Sequence, residues 1–272
     1  KIELLKQLEA KVKAADARIV YVPYCNYEEE KMMVRIVNSK GLDIVKKNEF
    51  CAVIVQAVAR ENNDSQSGFE VQVKLRYDAL DIDKICQDVV RKTVAMLNAK
   101  PVPSKVYPVV VENEAMTNLF AAYQSIYSGE AAIKKITPLL GKENTQIMSE
   151  KITILDDPLN KDAVSVEPFD DEGVACYQKE VVKDGVLKTF LHNLKTAKYF
   201  KTQSTGNGFK AGPNIGVRGM NIHIVPGKLS KAELMKDINE GLLITGFEGL
   251  HAGVNPISGD FSLKTCGFLI KN

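Results

Sequence analysis

Residues Val109–Phe120 read V-V-V-E-N-E-A-M-T-N-L-F, and this stretch decides how the second half of the chain is interpreted. The run of three valines predicts a buried strand, and the segment after it predicts a helix that opens with Asn113 and Glu114. Histidine in place of Asn113 and Asn118 would make the segment His-Glu-x-x-x-His, in which two imidazoles hold zinc and Glu114 acts as general base. An asparagine amide is a neutral and weak zinc ligand. The sequence therefore predicts the local architecture of a metal site without its ligands.

The spacing of the two asparagines gives a second reason to doubt a metal site in this chain. Positions i and i+5 lie about 140° apart on a regular helix, whereas zinc helices commonly use i and i+4. Asn113 is therefore expected to cap the helix, and Asn118 to be a surface or carbonyl-bonded amide. Glu114 is expected to be a vestigial base, kept as a first-turn acid that the helix dipole favours.

The bulk composition describes an ordinary globular chain. It has 272 residues, 45% hydrophobic and 26% charged, with a net charge of +2. This balance gives no indication of a nucleic-acid partner. No apolar run approaches the ~18 residues of a membrane-spanning helix, and no signal peptide is recognisable, so we predict a cytoplasmic protein that binds no membrane.

The cysteines and the N-terminus add two expectations. The five cysteines form no Cys-x-x-Cys pair and are expected to be free thiols in a reducing cytoplasm. Because the chain begins K-I-E-L-L-K without Met, an N-terminal portion is expected to be missing.

The first half predicts an antiparallel β-meander with helices. Ile2, Leu5, Leu8 and Val12 have helical spacing. Five strands are predicted after this helix, at 18–23, 31–38, 42–47, 51–60 and 68–77. A helix with an apolar stripe is predicted over 82–98, and Pro101-Val102-Pro103 then breaks the pattern. We place the domain boundary there, with domain 1 at 1–100 and domain 2 at 101–272.

The second half mixes strands and helices without a βαβ rhythm, so the predicted fold class is α+β, a meander domain followed by a mixed sheet and helix domain. Asp184-Gly185 predicts the turn of a hairpin between 174–183 and 186–190. Ser230 and Glu233 predict the capping box of a helix that stops at Gly241. Residues 201–219 are expected to form one long Gly-, Asn- and Thr-rich loop.

Four segments of the second half, taken in order, resemble the TldD/PmbA family of peptidase-related proteins, once called modulators of DNA gyrase. They are the Pro-Phe-Asp-Asp-Glu-Gly-Val run at 168–174, Lys-Asp-Gly-Val-Leu at 183–187, Ser-Thr-Gly-Asn-Gly at 204–208 and the Gly-rich segment 249–262. Together with the metal-motif helix ahead of them, they make the resemblance specific. It covers 105–272 well and 1–100 by general pattern.

The resemblance implies a role as well as a fold of the TldD/PmbA type. TldD-like members keep His-Glu-x-x-x-His and are taken as the zinc-bearing catalytic subunit, whereas PmbA-like members, also called TldE, lack the ligands and pair with them. Asn113 and Asn118 place this chain in the PmbA/TldE branch. The expected function is that of a metal-free subunit of a cytoplasmic metallopeptidase that cuts peptides or unfolded proteins, with zinc in the TldD-like partner.

The resemblance also implies a longer protein, because family members carry a further N-terminal segment and continue past the position of Asn272. Whether the isolated chain forms a homodimer is left undecided.

The Gly-rich segment is the predicted contact surface for substrate or partner, because flexible loops on rigid scaffolds commonly carry function. The candidates there are His251, Asn255, Ser258 and Asp260. Asn214 is the candidate in the 201–219 segment, where free backbone amides could pair with an extended peptide.

Two alternative functions remain open. One is an active metallopeptidase with ligands from elsewhere, for which His192, His223 and His251 are the only histidines in the sequence. The other is a non-enzymatic binding protein of the gyrase-modulator type. Whether the chain is an enzyme on its own is left undecided.

Overall fold

The computed structural model describes residues 1–271 and divides into two compact units. Unit 1 comprises Lys1–Val34 and Lys47–Pro103, and unit 2 comprises Arg35–Lys46 together with the chain from Ser104 onward. Antiparallel sheets and helices make up both units, and unit 2 also contains a mixed sheet, so the predicted α+β class is confirmed.

Unit 1 contains a three-stranded sheet and two helices. The strands are β1 (Ile19–Val37), β2 (Asp43–Glu61) and β3 (Asp64–Lys74), in the spatial order β1-β2-β3, and the helices are α1 (Ile2–Ala15) and α2 (Ile82–Val94). Residues 35–37 of β1 and 43–46 of β2 belong to unit 2. Alternate residues of β2 point into a shared core with both helices. The fully buried members of this core are Leu8, Val12, Val53, Val55, Ala57, Ala59 and Val89.

The meander has fewer and longer strands than the sequence predicted. The two segments predicted at 18–23 and 31–38 form the single strand β1, and those at 42–47 and 51–60 form β2. In β1 the polar residues that follow the first predicted segment are exposed over 28–33, so the strand continues through them. Residues 61–67, which lie between two predicted strands, largely belong to the β2–β3 hairpin, which turns at Asn62 with a positive φ of 54°.

Strand β3 alternates between polar and apolar residues, and its apolar row is the more exposed of the two. Its polar row faces α2, where Glu70 forms an ion pair with Lys92 and Gln72 accepts a hydrogen bond from the Asp81 backbone N–H. Its apolar row is on the outer face, and Phe69 is 52% exposed. The helix packs closely here, since a Cβ on Gly68 would lie 2.2 Å from Thr93 Oγ1.

The described part of unit 2 contains three small sheets. In the first, β4 (Val109–Val111) runs parallel to β11 (Glu240–Glu248), which pairs antiparallel with β12 (Lys264–Lys271). The second has the order β10-β5-β6-β7, from Ile222–Ile224, Ile154–Asp156, Lys179–Lys183 and Val186–Leu187. The third is the hairpin of β8 (Gly208–Ala211) and β9 (Asn214–Val217). The 201–219 segment is therefore not one long loop, as the sequence predicted.

Within residues 104–271, five α-helices accompany these sheets. They are α3 (Asn113–Tyr123), α4 (Gly129–Lys134), α5 (Leu194–Phe200), α6 (Lys231–Met235) and α7 (Leu250–Gly253). The predicted capping box of α6 is present, with Ser230 and Glu233 bonded reciprocally. The predicted hairpin turn is also present, and Asp184 and Gly185 both have positive φ, 47° and 76°. Within residues 1–271 no helix is long and apolar enough to cross a membrane.

The core of unit 2 surrounds β6 and β7. Its most buried side chains are Ile154, Val181, Val182, Leu187 and Leu191. Tyr127 and Phe190 complete this core beside α4. The two units thus each bury an apolar core of their own.

Candidate functional site

Helix α3 carries the metal-motif residues, and β4 positions its start. The Glu112 N–H donates to the Ile244 carbonyl at 2.9 Å, which extends the pairing of β4 with β11 to the first turn of the helix. Glu112 is the N-cap, without a side-chain cap bond, and Asn113 is the first helical residue, so the expected cap at Asn113 is shifted by one position. Glu114 lies in the exposed first turn, as expected for an acid that the dipole favours.

The two asparagines differ in what their amides do. Asn113 Oδ1 accepts a hydrogen bond from the Glu114 backbone N–H at 3.0 Å, so it is used locally. Asn118 is exposed and lines a cleft of about 490 Å³ between α3 and α7. The other lining residues are Ala122, Leu250, His251, Val254 and Pro256. The structure therefore brings Asn118 and His251 to one cleft, and Asn113 is not among its lining residues.

A zinc ion does not fit this set of donors. The helix is regular through both asparagines, and one of the two amide oxygens is occupied by a backbone N–H. Among residues 1–271 no group of three His, Cys, Asp or Glu side chains is placed to hold a metal ion. His192 is buried beside Thr196, and His223 Nδ1 lies 2.8 Å from the Asn221 carbonyl oxygen. Burial lowers the pKa of His192 below its usual range.

Segment 249–262 forms the far wall of the cleft and is held by its own hydrogen bonds. Asn255 Oδ1 accepts from the N–H groups of Ile257 and Ser258, at 3.0 and 3.3 Å. The Asn255 N–H donates to the Asp260 carbonyl at 2.9 Å. Three of the predicted contact residues, Asn255, Ser258 and Asp260, thus take part in the internal bonding of this wall, with Ser258 Oγ accepting from the Asp260 N–H at 3.3 Å.

Tyr123, at the end of α3, joins the helix to this wall. Its hydroxyl lies 3.1 Å from both the Gly259 and Asp260 carbonyl oxygens. Burial and, to a lesser extent, the charge of Asp260 raise the pKa of Tyr123, so the hydroxyl keeps the proton that it donates. The sequence did not identify Tyr123 as a site residue. Its hydrogen-bond acceptor lies 136 residues away, and no pattern in the neighbouring sequence predicts that contact. Ala122 was also missed, although it lies four positions after Asn118 on the same helix face.

The runs at 168–174 and 204–208, which carry the family resemblance, form buried hydrogen bonds inside unit 2. Asp170 is fully buried and accepts from the N–H groups of Glu172, Val174 and Gly208 at 3.0, 2.9 and 2.8 Å. Asn207 Nδ2 donates to Asp156 Oδ2 at 2.7 Å. These residues position the loops around β8 and do not line the cleft.

Asn214, the remaining predicted contact, is an exposed residue at the start of β9, paired with Ala211 at the hairpin turn.

The structure is that of an α+β protein in which strand β4 leads directly into the regular helix α3. This helix carries asparagine amides at both positions of the metal motif. The family model described as "PmbA/TldA metallopeptidase central domain" matches residues 1–97, and "PmbA/TldA metallopeptidase C-terminal domain" matches 104–272. The chain belongs to this PmbA/TldD family of metallopeptidase-like proteins.

The similarity to known proteins extends over nearly the whole of this chain. Metalloprotease PmbA of Escherichia coli O157:H7 is 27% identical over all of this chain and 58% of its own length. A putative modulator of a DNA gyrase from Thermotoga maritima has a TM-score of 0.93 at 35% identity, covering 100% of this chain and 62% of that one. TldE from Thermococcus kodakarensis has a TM-score of 0.90 at 26% identity, covering 99% and 62%. The chain therefore corresponds to less than two thirds of the length of each of these relatives.

Proposed function

We propose that this chain acts as the metal-free PmbA/TldE-type subunit of a cytoplasmic peptidase whose zinc is held by a TldD-like partner. The observation that carries the proposal is the pair of amides at Asn113 and Asn118, where a catalytic subunit needs imidazoles. The regular geometry of α3 supports it, because two side chains five residues apart diverge by about 140° on such a helix.

The α3–α7 cleft is the part of this subunit that we assign to substrate contact. Its lining is apolar apart from the Asn118 amide and the His251 imidazole. A carboxamide offers one acceptor and two donors, which matches the acceptor and donor of a peptide group without adding charge. An extended peptide or unfolded segment could therefore be held here by an apolar side chain and one backbone pairing, while the Tyr123 contact keeps the cleft wall in place.

Metal content is the decisive measurement for the subunit assignment. Elemental analysis of the purified chain alone is expected to give no stoichiometric zinc, and the mixture with a TldD-like chain about one zinc per heteromer. Stoichiometric zinc in the chain alone, with peptide cleavage lost in Glu114→Gln and kept in the exposed control Glu150→Gln, would overturn the assignment. That result would favour an active peptidase, which is the activity that the name of the Escherichia coli relative states.

Peptide cleavage by the heteromer tests the cleft. Asn118→Ala and His251→Ala are each expected to raise KM several-fold with a smaller effect on kcat, because they remove substrate contacts and leave the partner's metal untouched. Lys142→Ala, an exposed position outside the cleft, is the control. An unchanged KM in both cleft variants would remove the cleft from the substrate path.

A further inference from the structure

Three polar side chains meet inside unit 2, at a place that does not line the α3–α7 cleft. Asp156 ends β5, Lys179 begins β6 and Asn207 precedes β8, and all three are buried. Lys179 Nζ donates to Asp156 Oδ2 at 2.9 Å, and Asn207 Nδ2 donates to the same oxygen at 2.7 Å. The site therefore holds a primary amine, a carboxamide and a carboxylate that contacts both. We propose that the amine of Lys179 and the carboxamide of Asn207 form an isopeptide bond with release of ammonia, and that Asp156 acts as the general base.

The register of the strands brings these groups together. Asp156 and Lys179 are directly opposite each other in the antiparallel β5–β6 pair, so their side chains lie on the same face of the sheet. Asp156 Oδ1 accepts a hydrogen bond from the Met220 N–H at 2.5 Å, which fixes the plane of the carboxylate. The folded chain thus holds the amine and the amide on one oxygen atom, and reactants fixed side by side react as if at a very high concentration.

The carboxamide of Asn207 is oriented and polarised by its hydrogen bonds. Its Oδ1 accepts from the Thr205 hydroxyl at 2.6 Å. Its Nδ2 donates to Asp156 and to the Arg218 carbonyl, the second bond at 3.0 Å. Negative charge develops on Oδ1 when an amine adds to Cγ, and a hydroxyl that already donates to this oxygen stabilises that charge. The carbon of this amide is therefore the electrophile of the site.

Burial favours the neutral form of the amine and carboxylate pair. Separated charges are costly in a low-dielectric interior, and a buried pair can lower this cost by moving one proton from the amine to the carboxylate. The ring centre of Tyr177 lies 4.7 Å from Lys179 Nζ and stabilises the ammonium form, so Asp156 has to remove a proton before the amine can react. The hydrogen bond from Nζ to Oδ2 provides the path for that proton.

The reaction balances without any added reactant. Lys179 Nζ gives one proton to Asp156, and its lone pair forms the bond to Cγ of Asn207. The bond between Cγ and Nδ2 then breaks, and its electron pair leaves with the nitrogen. Asp156 passes the two protons that Nζ loses to this nitrogen, which departs as ammonium, so the carboxylate is regenerated. Nothing is oxidised or reduced.

The backbone nitrogen of Gly208 is the competing nucleophile, because it follows Asn207 in the chain and its attack on Cγ would give a cyclic imide. Its N–H donates to Asp170 Oδ2 at 2.8 Å, and this bond holds the nitrogen in place. The amine of Lys179 is therefore the favoured nucleophile. The product would join the start of β6 to the start of β8 and close a loop that contains α5, which restricts the unfolded chain as a disulfide does.

Mass spectrometry of the folded full chain tests the bond and needs neither a TldD-like chain nor peptidase activity. The intact mass is expected to lie about 17 Da below the mass of the sequence, which is the loss of one ammonia. Proteolysis is expected to give a branched peptide that joins Lys179 to Asn207. Lys179→Arg keeps the positive charge but lacks a nucleophilic amine, and Asp156→Asn lacks the base, so both are expected to keep the full mass. Lys183→Arg, exposed on the same strand, is the control and should show the loss.

Three results would overturn the proposal. The first is the full sequence mass in the unsubstituted chain after prolonged incubation in the folded state, which decides the matter whether or not the variants fold. The second is a loss of about 17 Da that persists in Lys179→Arg without a branched peptide, because this is the mass of the imide of Asn207 and Gly208. The third is a branched peptide that joins Lys179 to Asp156 with loss of water, about 18 Da, since the electrophile would then be Asp156.

Discussion

Lys46 is the cation of a buried charge cluster in unit 2. Its Nζ lies 2.6 Å from Glu167 Oε2 and 3.4 Å from Asp171 Oδ1, and within 5.5 Å of the ring centres of Phe169 and Phe209. Lys46→Met keeps the packing volume but leaves a buried carboxylate without its cation. We expect it to destabilise unit 2 by about 3–5 kcal/mol, measured as the shift of the urea unfolding transition.

The exposed pair of Lys31 and Glu49 is the matched control for this prediction. Its side chains are 70% and 62% exposed, so Lys31→Met is expected to change the free energy of unfolding by less than about 1 kcal/mol. The double variant Lys46→Met/Glu167→Gln should recover part of the lost stability, because it also removes the negative charge of Glu167. Equal effects of Lys46→Met and Lys31→Met would mean that the buried cluster contributes little.

His192 makes stability depend on pH. Burial lowers its pKa in the folded chain, so the unfolded chain binds the proton more tightly. Its contribution is fully present above the unfolded pKa of about 6.5 and is lost as the pH falls toward the folded pKa. His192→Gln is expected to flatten the dependence of the unfolding midpoint on pH between about pH 7.5 and 5.5. An unchanged pH dependence of the unfolding midpoint in His192→Gln would contradict this expectation.

At the scale of the element, the β6–β7 hairpin depends on Gly185. Its φ is 76°, and a Cβ there would lie 2.4 Å from the Met148 carbonyl oxygen and 2.6 Å from that of Ser149. Gly212 has a similar φ of 63° but open space around it. Gly212→Ala is therefore expected to cost about 1 kcal/mol from backbone strain alone, and Gly185→Ala about 2–4 kcal/mol. Thermal unfolding of both variants measures the difference, and equal losses would refute the steric argument.

Helix α3 gives a prediction about metal binding. Because the helix is regular and its two ligand-equivalent positions diverge, Asn113→His/Asn118→His is not expected to bind zinc stoichiometrically. A variant with histidines four apart, Asn118→His/Ala122→His, places two imidazoles on one face and is expected to bind zinc more tightly. Isothermal titration with zinc compares the two, and tighter binding by the first variant would show that α3 can distort.

Local signals in the sequence predicted the elements whose geometry is set locally. Asp184-Gly185 gave the hairpin turn because both positions need positive φ, and Ser230 with Glu233 gave the start of α6 because a capping box is a contact between neighbours. The turn of the β8–β9 hairpin, at Gly212-Pro213, was read as part of a loop, because short strands of three or four residues show little alternation.

Long-range pairing could not be predicted in the same way. The parallel contact of β4 with β11 joins residues more than a hundred positions apart, and no local pattern specifies it. For the site, the motif identified Asn118, and the glycine-rich segment identified His251. That they share one cleft depends on how α3 packs against α7, which only the folded chain shows.

At the scale of the whole molecule, two separate cores indicate two cooperative unfolding steps. One core centres on Leu8, Val53 and Val55, and the other on Leu187, Val181 and Val182. We therefore expect the chain to depart from two-state unfolding, with a separate transition for each unit. Substitutions in one core should act mainly on the transition of that unit.

Leu8→Ala and Leu187→Ala make this last expectation specific, since both side chains are fully buried, each in its own unit. Each is expected to lower the stability of its own unit by about 2–5 kcal/mol through lost burial and a residual cavity. Hydrogen exchange followed by mass spectrometry can assign each loss to peptides of unit 1 or unit 2. Leu8→Ala should speed exchange in β2 and α2, and Leu187→Ala in β5 and β6. Faster exchange throughout the chain in either variant would mean that the two cores unfold as one cooperative body.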